Sequence, residues 1–157
     1  MRYTLLLTMV QMSNEAGITA PGARLQIRIE RYEYPRIQQG PDANWLLGDV
    51  RLTAGTSSLF RANVPVTIMA DELARLRNGL LDLLEGRTDH AVLHHMEVNV
   101  GATIRSWDGL LLFSCFVRDD FAPEIRLREV QITRDQLQEA FDEFDDLLQT
   151  FPVRAPA

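Results

Sequence analysis

Residues 66–86, VTIMADELARLRNGLLDLLEG, and residues 130–150, VQITRDQLQEAFDEFDDLLQT, decide the fold because they are two copies of one pattern. Each begins as the end of a strand, with alternating apolar residues, and continues as a segment whose apolar residues recur every three or four positions. A shift of 64 residues aligns the two segments, and Leu46-Leu47 upstream then falls on Leu110-Leu111. Two tandem copies of strands followed by one helix predict an α+β fold, in which a mainly antiparallel β-sheet carries two amphipathic helices.

The helical periodicity predicts a first helix over about residues 70–85, ending at Gly86, and a second over about residues 134–149, before Pro152. Thr133 and Gln136 have the spacing of a capping box at the start of the second helix. Alternating segments bounded by turn residues predict strands over residues 3–10, 24–34, 45–54, 60–68, 91–99, 101–107, 110–118 and 124–132.

Glycine and proline mark the connections between these strands. The loop between the first two strands contains Gly17, Pro21 and Gly22. Pro65 cannot donate a backbone hydrogen bond, so it indicates an edge strand or a bulge. Asp108-Gly109 predicts a two-residue hairpin turn, because a type I′ turn needs positive φ at both central positions.

The 157 residues, 46% apolar and 24% charged, have the size and composition of one soluble globular domain. Neither copy of the pattern contains enough apolar residues to cover its own sheet. We therefore expect a single domain over 1–157, with pseudo-repeats at about 24–87 and 90–151.

The chain has one cysteine, Cys115, which excludes an intrachain disulfide and fits a reducing compartment. No run approaches the roughly 20 apolar residues that span a bilayer, so no membrane association is expected. The segment from Thr4 to Val10 could imitate a signal peptide, but its apolar part of about seven residues is at the lower limit for one. An ordinary first strand and a cytoplasmic protein are the preferred interpretation.

The sequence contains no motif for a phosphate-binding cofactor or for a serine nucleophile. The glycines form neither a G-x-G-x-x-G sequence nor a Walker motif, and no serine lies in G-x-S-x-G. The net charge of −6 argues against direct nucleic-acid binding, which normally requires a concentrated basic face. We expect no cofactor and no catalytic residue.

Three features could carry chemistry, and each has a structural interpretation. His90, His94 and His95 could suggest zinc, but only His90 and His94 share a side of a strand, so ordinary surface or core-edge histidines and no metal are expected. Cys115 lies in an apolar strand that is predicted to be buried on both faces, where a thiol behaves as a small hydrophobe. Asp119-Asp120 could hint at a cation site, although adjacent carboxylates in a loop are usually turn residues.

The second helix concentrates the negative charge of the chain. Residues 133–150 contain six acids against one arginine, while the other residues contain 16 acids and 15 arginines. At about 100° per residue, a narrow stripe opposite the apolar face is predicted to contain Asp135, Glu139, Asp142 and Asp146. The matching positions of the first helix have mixed charge. The stripe is either a solvated face or a docking surface for a basic partner, to which Asp119 and Asp120 could add.

Several short motifs resemble a known bacterial family. They are Tyr32-Glu33-Tyr34-Pro35, Asp42-Ala43-Asn44-Trp45-Leu46, Val117-Arg118-Asp119-Asp120 and Leu148-Gln149-Thr150-Phe151-Pro152. Over about residues 24–153 the chain resembles the WapI-type immunity proteins, which are associated with the wall-associated toxin WapA. The resemblance implies non-covalent neutralisation of a toxin domain, and it transfers no catalytic or binding residue. In the second motif, Trp45 is expected to anchor the strand, with Asp42 and Asn44 shaping the turn.

The preferred hypothesis is a cytoplasmic, non-enzymatic protein that binds and neutralises a cognate bacterial toxin domain, such as a basic nuclease. One alternative is a structural or adaptor module that binds a host protein. Another is an enzyme with an unrecognised site near His90 and His94. A toxin gene directly upstream would favour the first hypothesis, and a tightly bound stoichiometric metal would favour the last.

Overall fold

The computed structural model describes residues 12–56, 59–121 and 123–155. Its strands are β1 (Glu15–Ala20), β2 (Ala23–Tyr32), β3 (Trp45–Ala54), β4 (Phe60–Met69), β5 (His90–His94), β6 (Val100–Trp107), β7 (Leu110–Val117) and β8 (Ile125–Ile132). Its α-helices are α1 (Ala70–Leu84) and α2 (Arg134–Thr150), and a 3-10 turn covers Pro41–Asn44. The strand predicted over residues 3–10 lies outside the described residues.

The strands form two antiparallel sheets of four, one for each half of the described chain. The strand orders are β1-β2-β3-β4, here called sheet A, and β5-β6-β7-β8, here called sheet B. Each sheet follows the chain strand by strand, and one helix follows each sheet. The predicted α+β class, with antiparallel strands and two helices, is therefore confirmed, and the strands divide into one sheet for each repeat.

Two parts of the strand prediction were wrong: one strand was missed, and another was predicted too long. The loop predicted around Gly17 is the strand β1, which pairs with β2 along its whole length and turns at Pro21-Gly22. Its inward residues Ala16, Ile18 and Ala20 are buried but mostly small, so the alternation is weak in the sequence. The strand predicted over 91–99 ends at His94, and a turn covers the following residues.

Three local predictions are confirmed. Asp108 and Gly109 have φ of 49° and 76°, as the predicted hairpin turn requires. Thr133 and Gln136 form the reciprocal capping box, with N–H to side-chain oxygen distances of 3.2 and 2.9 Å. Pro65 lies in β4, which is an edge strand of sheet A.

Each helix packs against the first strand of the opposite repeat. The helix α1 contacts β5 of sheet B, α2 contacts β1 of sheet A, and the helices contact each other. Gly79 of α1 permits the close approach, since a Cβ there would lie 3.3 Å from the Cβ of Ala91. The buried apolar residues of both repeats form one cluster, which includes Leu80 and Phe144. Whether the chain also unfolds as one unit stays a prediction.

Polar contacts fix α2 on its neighbours. The Glu143 carboxylate accepts hydrogen bonds from the Gly17 N–H at 2.7 Å and from the Arg24 guanidinium at 2.8 Å, both on sheet A. At the N-terminus of the helix, Arg134 donates to the Leu84 carbonyl at the end of α1, at 2.7 Å. The exposed face of α2 therefore has a fixed orientation relative to sheet A.

Candidate protein-binding surface

The acidic residues that are predicted to form a stripe on α2 are exposed to solvent. Asp135, Glu139, Asp142 and Asp146 are all exposed on the side of the helix opposite the core. The orientation follows from the apolar positions of the helix. Those buried in the core are Leu137, Ala140, Phe144, Leu147 and Leu148. With that face fixed, the carboxylates spaced three and four residues apart fall together on the solvent side.

Arginines neutralise the two acids of α2 that lie outside the stripe. Glu143 pairs with Arg24 at 2.8 Å, and Asp145 pairs with Arg77 of α1 at 3.2 Å. In the described parts of the chain, none of the four stripe acids forms an ion pair. Asp142 accepts only a hydrogen bond from the Gln138 amide, at 3.0 Å. The uncompensated charge of α2 therefore lies on the stripe.

The corresponding face of α1 is an internal control. Asp71 pairs with Arg75 at 3.0 Å, and the Asp82 carboxylate accepts two hydrogen bonds from Arg87 at 2.6 and 2.8 Å. Two helices related by the same repeat thus differ in surface charge. The like charges of the α2 stripe cost a few tenths of a kcal/mol per i,i+4 pair, so helix stability does not account for them.

Asp119 and Asp120 lie on a different surface from the stripe. They are in the β7–β8 connection and line an open cavity of about 510 Å³ with residues of β3 and β4. The helix α2 lies against β1, at the opposite edge of sheet A. Three interstrand spacings, about 15 Å, separate these edges. The structure therefore does not bring all six predicted binding residues together.

Sequence reasoning missed two acids of this cavity. Glu30 at the end of β2 and Glu97 in the β5–β6 connection line the same cavity as Asp119 and Asp120. The four carboxylates come from three distant segments, so no local pattern marks them. The nearest signal in the sequence is Phe121, an aromatic residue directly after two acids, and the structure leaves 99% of its surface exposed.

The histidines do not form a cluster. His90 and His94 are exposed on β5, while His95 is buried beyond the end of the strand. The His95 Nε2 donates to the Thr67 carbonyl at 2.8 Å, and its Nδ1 accepts from the Asn99 N–H at 3.3 Å. Both ring nitrogens thus have structural partners. Among the described residues, no group of three or more His, Cys, Asp or Glu could hold a metal ion.

Cys115 is buried in β7, and burial raises the pKa of its thiol to about 12. A thiol that stays protonated at neutral pH is a poor nucleophile. The prediction of a strand buried on both faces was wrong, however, because Ser114 and Phe116 on the other face are partly exposed. That face is the outer surface of sheet B.

A comparison with family models matches residues 17–152 to the Immunity protein WapI-like family, which covers most of the chain. The chain belongs to the WapI-like immunity protein family. No curated protein matches it. A chain from the solved structures titled "Crystal structures of trypanosoma bruciei MRP1/MRP2" is similar with 14% identity and a TM-score of 0.46, over 87% of this chain and 83% of that one. Among the described residues, no helix is long and apolar enough to cross a membrane.

In this WapI-like chain, Tyr32 and Asn44 of the motifs quoted above bind residues 152–154, here called the C-terminal tail. The Tyr32 hydroxyl donates to the Pro152 carbonyl at 2.5 Å, and the Arg154 guanidinium stacks 3.4 Å from the centre of the Tyr32 ring. The Asn44 Oδ1 accepts from the Arg154 N–H at 2.7 Å, so this side chain bonds the tail rather than its own turn. Trp45 begins β3 as expected, with its ring only partly buried.

Proposed function

We propose that this chain is an immunity protein that binds a cognate bacterial toxin domain non-covalently and blocks it, with the stripe of α2 as the contact surface. Membership of the WapI-like family supports a toxin partner. The observation that carries the choice of surface is the contrast between the helices. Within the described residues, Asp135, Glu139, Asp142 and Asp146 are exposed without arginine partners, whereas Asp71 and Asp82 at the matching positions of α1 are paired.

The partner that this surface fits is a basic protein, such as a nuclease. A toxin that acts on RNA or DNA presents cationic groups to phosphates. An array of fixed carboxylates complements those groups, speeds association and covers the surface that the substrate would use. Such blocking needs no catalysis, in keeping with the generally non-enzymatic immunity proteins, and we place it in the cytoplasm.

Kinetic measurements with the cognate toxin domain test the proposal. We expect Asp135→Asn, Glu139→Gln, Asp142→Asn and Asp146→Asn together to slow association about tenfold or more at low salt, and to flatten its salt dependence. Folding should be unchanged or slightly more stable, because the like-charge pairs are removed.

A charge-matched control removes four acids near α1 and should leave association close to that of the parent. It combines Asp71→Asn, Asp82→Asn, Glu85→Gln and Asp89→Asn. Equal association rates for the parent and the stripe variant at low salt would refute the α2 surface. Failure of the parent to bind or inhibit the toxin domain would refute the proposed function itself.

A further inference from the structure

The strand β4 has an open edge. It is the last strand of sheet A, and its register with β3 is continuous from Phe60 to Met69. The Thr67 carbonyl accepts its hydrogen bond from His95 and therefore points away from β3. Because backbone groups alternate in direction along a strand, Arg61 and Asn63 also point their N–H and C=O groups outward. In the described parts of the chain these groups have no backbone partner.

An apolar cavity adjoins this open edge. Its volume is about 310 Å³, and it lies between β4 and the ends of β7 and β8. Its lining residues are Ala62, Asn63, Val64, Val117, Asp119, Pro123 and Ile125. Phe60, at the start of β4, exposes 64% of its surface, and Ile125 is exposed as well. An extended segment on the edge of β4 could place an apolar side chain in this cavity.

The acidic cavity continues the same groove. Both cavities are lined by Val64 and Asp119, so they meet at the middle of β4. Beyond that point the groove is lined by the carboxylates of Glu30, Glu97 and Asp120, and no arginine lines either cavity in the described part of the chain. A groove that is apolar at one end and acidic at the other thus runs beside unpaired backbone groups.

We infer that this groove is a docking site for an extended basic segment of a partner protein, which adds to β4 as a fifth strand of sheet A. Strand addition supplies backbone hydrogen bonds, and the two cavities take alternate side chains. The inference rests on the proposed function only for the identity of the partner as the toxin. Glu30 is paired with Arg28 at 3.4 Å, whereas Glu97, Asp119 and Asp120 form no ion pair in the described part of the chain. Charge complementarity therefore selects the occupant, because these three carboxylates favour lysine and arginine and would repel a second copy of this acidic chain.

The other sheet edges fit such a segment less well. The helix α2 covers the edge of β1, where Glu143 takes the Gly17 N–H, and α1 covers the edge of β5. The edge strand β8 has an irregular register opposite β7, and such an irregularity disfavours the addition of a further strand. In β4 itself, Pro65 and the His95 bond to Thr67 limit the open stretch to about residues 61–65.

Binding of a synthetic octapeptide of alternating valine and arginine to the full chain tests the inference, measured by fluorescence anisotropy at low salt. We expect Asn63→Pro to weaken binding at least tenfold, because it removes the outward N–H while the bonds to β3 remain. Asn63→Ala is the matched control, since it loses the same side chain but keeps the N–H, and should bind as the parent does. Glu97→Gln with Asp119→Asn should also weaken binding about tenfold.

Several outcomes would overturn the inference. The first is that the parent does not bind the valine–arginine peptide. The second is that the Asn63→Pro and Asn63→Ala variants, with unchanged thermal stability, bind this peptide equally well. The third is that the parent binds a valine–glutamate octapeptide as well as it binds the valine–arginine peptide. Peptide binding that appears only after removal of residues 1–11 would assign the groove to the chain's own N-terminal segment. Dimerisation of the parent that Asn63→Pro abolishes would assign it to a second copy. The peptide measurement does not need the toxin, so its result is independent of whether the proposed function is correct.

Discussion

Replacing Glu72 with alanine should destabilise the protein by about 2–6 kcal/mol, because this buried carboxylate joins the two repeats. Its side chain is in the first turn of α1, and the residue is only 3% exposed. One oxygen accepts from the N–H of Met69, before the helix, at 2.9 Å, and the other accepts from the N–H of Met96, beyond β5, at 2.7 Å. Alanine would leave both amides without a partner, at about 1–3 kcal/mol each.

Urea unfolding measures this cost. With a slope of about 2 kcal/mol per M, the midpoint should fall by about 1–3 M. Asp71→Ala is the matched control, since it removes the neighbouring acid from the same turn and loses the same kind of interaction with the helix dipole, about 0.3–1 kcal/mol. If both variants lose the same stability, water satisfies the two amides and Glu72 does not connect the repeats.

Two further predictions concern the shared core and its thiol. We expect no cooperative unfolding when residues 1–87 and 88–157 are expressed separately, because each helix packs on the sheet of the other repeat. A sharp unfolding transition in either fragment would contradict this. Burial raises the pKa of Cys115 to about 12, so the stability it contributes is present below about pH 8.5 and is lost as the pH rises towards 12. Between pH 7 and pH 10 the parent should lose about 2 kcal/mol more than Cys115→Ala in urea unfolding, and equal losses would refute a buried protonated thiol.

The elements that the sequence predicts correctly are those that depend on residues close together along the chain. The apolar periodicity of α1 and α2 and the Thr133 capping box each involve residues within one or two turns. The weak alternation of Ala16 and Ile18 in β1 is easily read as a loop, since alanine and glycine have little strand preference. The packing of each helix on the opposite repeat depends on contacts between residues that are distant in sequence, and no spacing along the chain predicts it.

The same distinction applies to the candidate surfaces. The stripe of α2 lies on one helix, so its periodicity predicts it. The groove along β4 depends on how Glu30, Glu97 and Asp119 meet in space, and on a strand edge that only the sheet order defines. The role of adjacent carboxylates such as Asp119-Asp120 depends on neighbouring residues that are distant in sequence.

The crossed packing of the helices makes the chain the covalent equivalent of a domain-swapped dimer. In a protein with a single repeat, neither the helix nor the sheet would have the packing partner that the other repeat supplies here. Two such chains could bury these surfaces only if the helix of each chain packed on the sheet of the other. The short connection between α1 and β5, residues 85–89, replaces that bimolecular association with an intramolecular one. Short tethers give effective concentrations of about millimolar. We therefore expect the chain with both repeats to fold independently of its own concentration, and a single repeat to be stable only at high concentration.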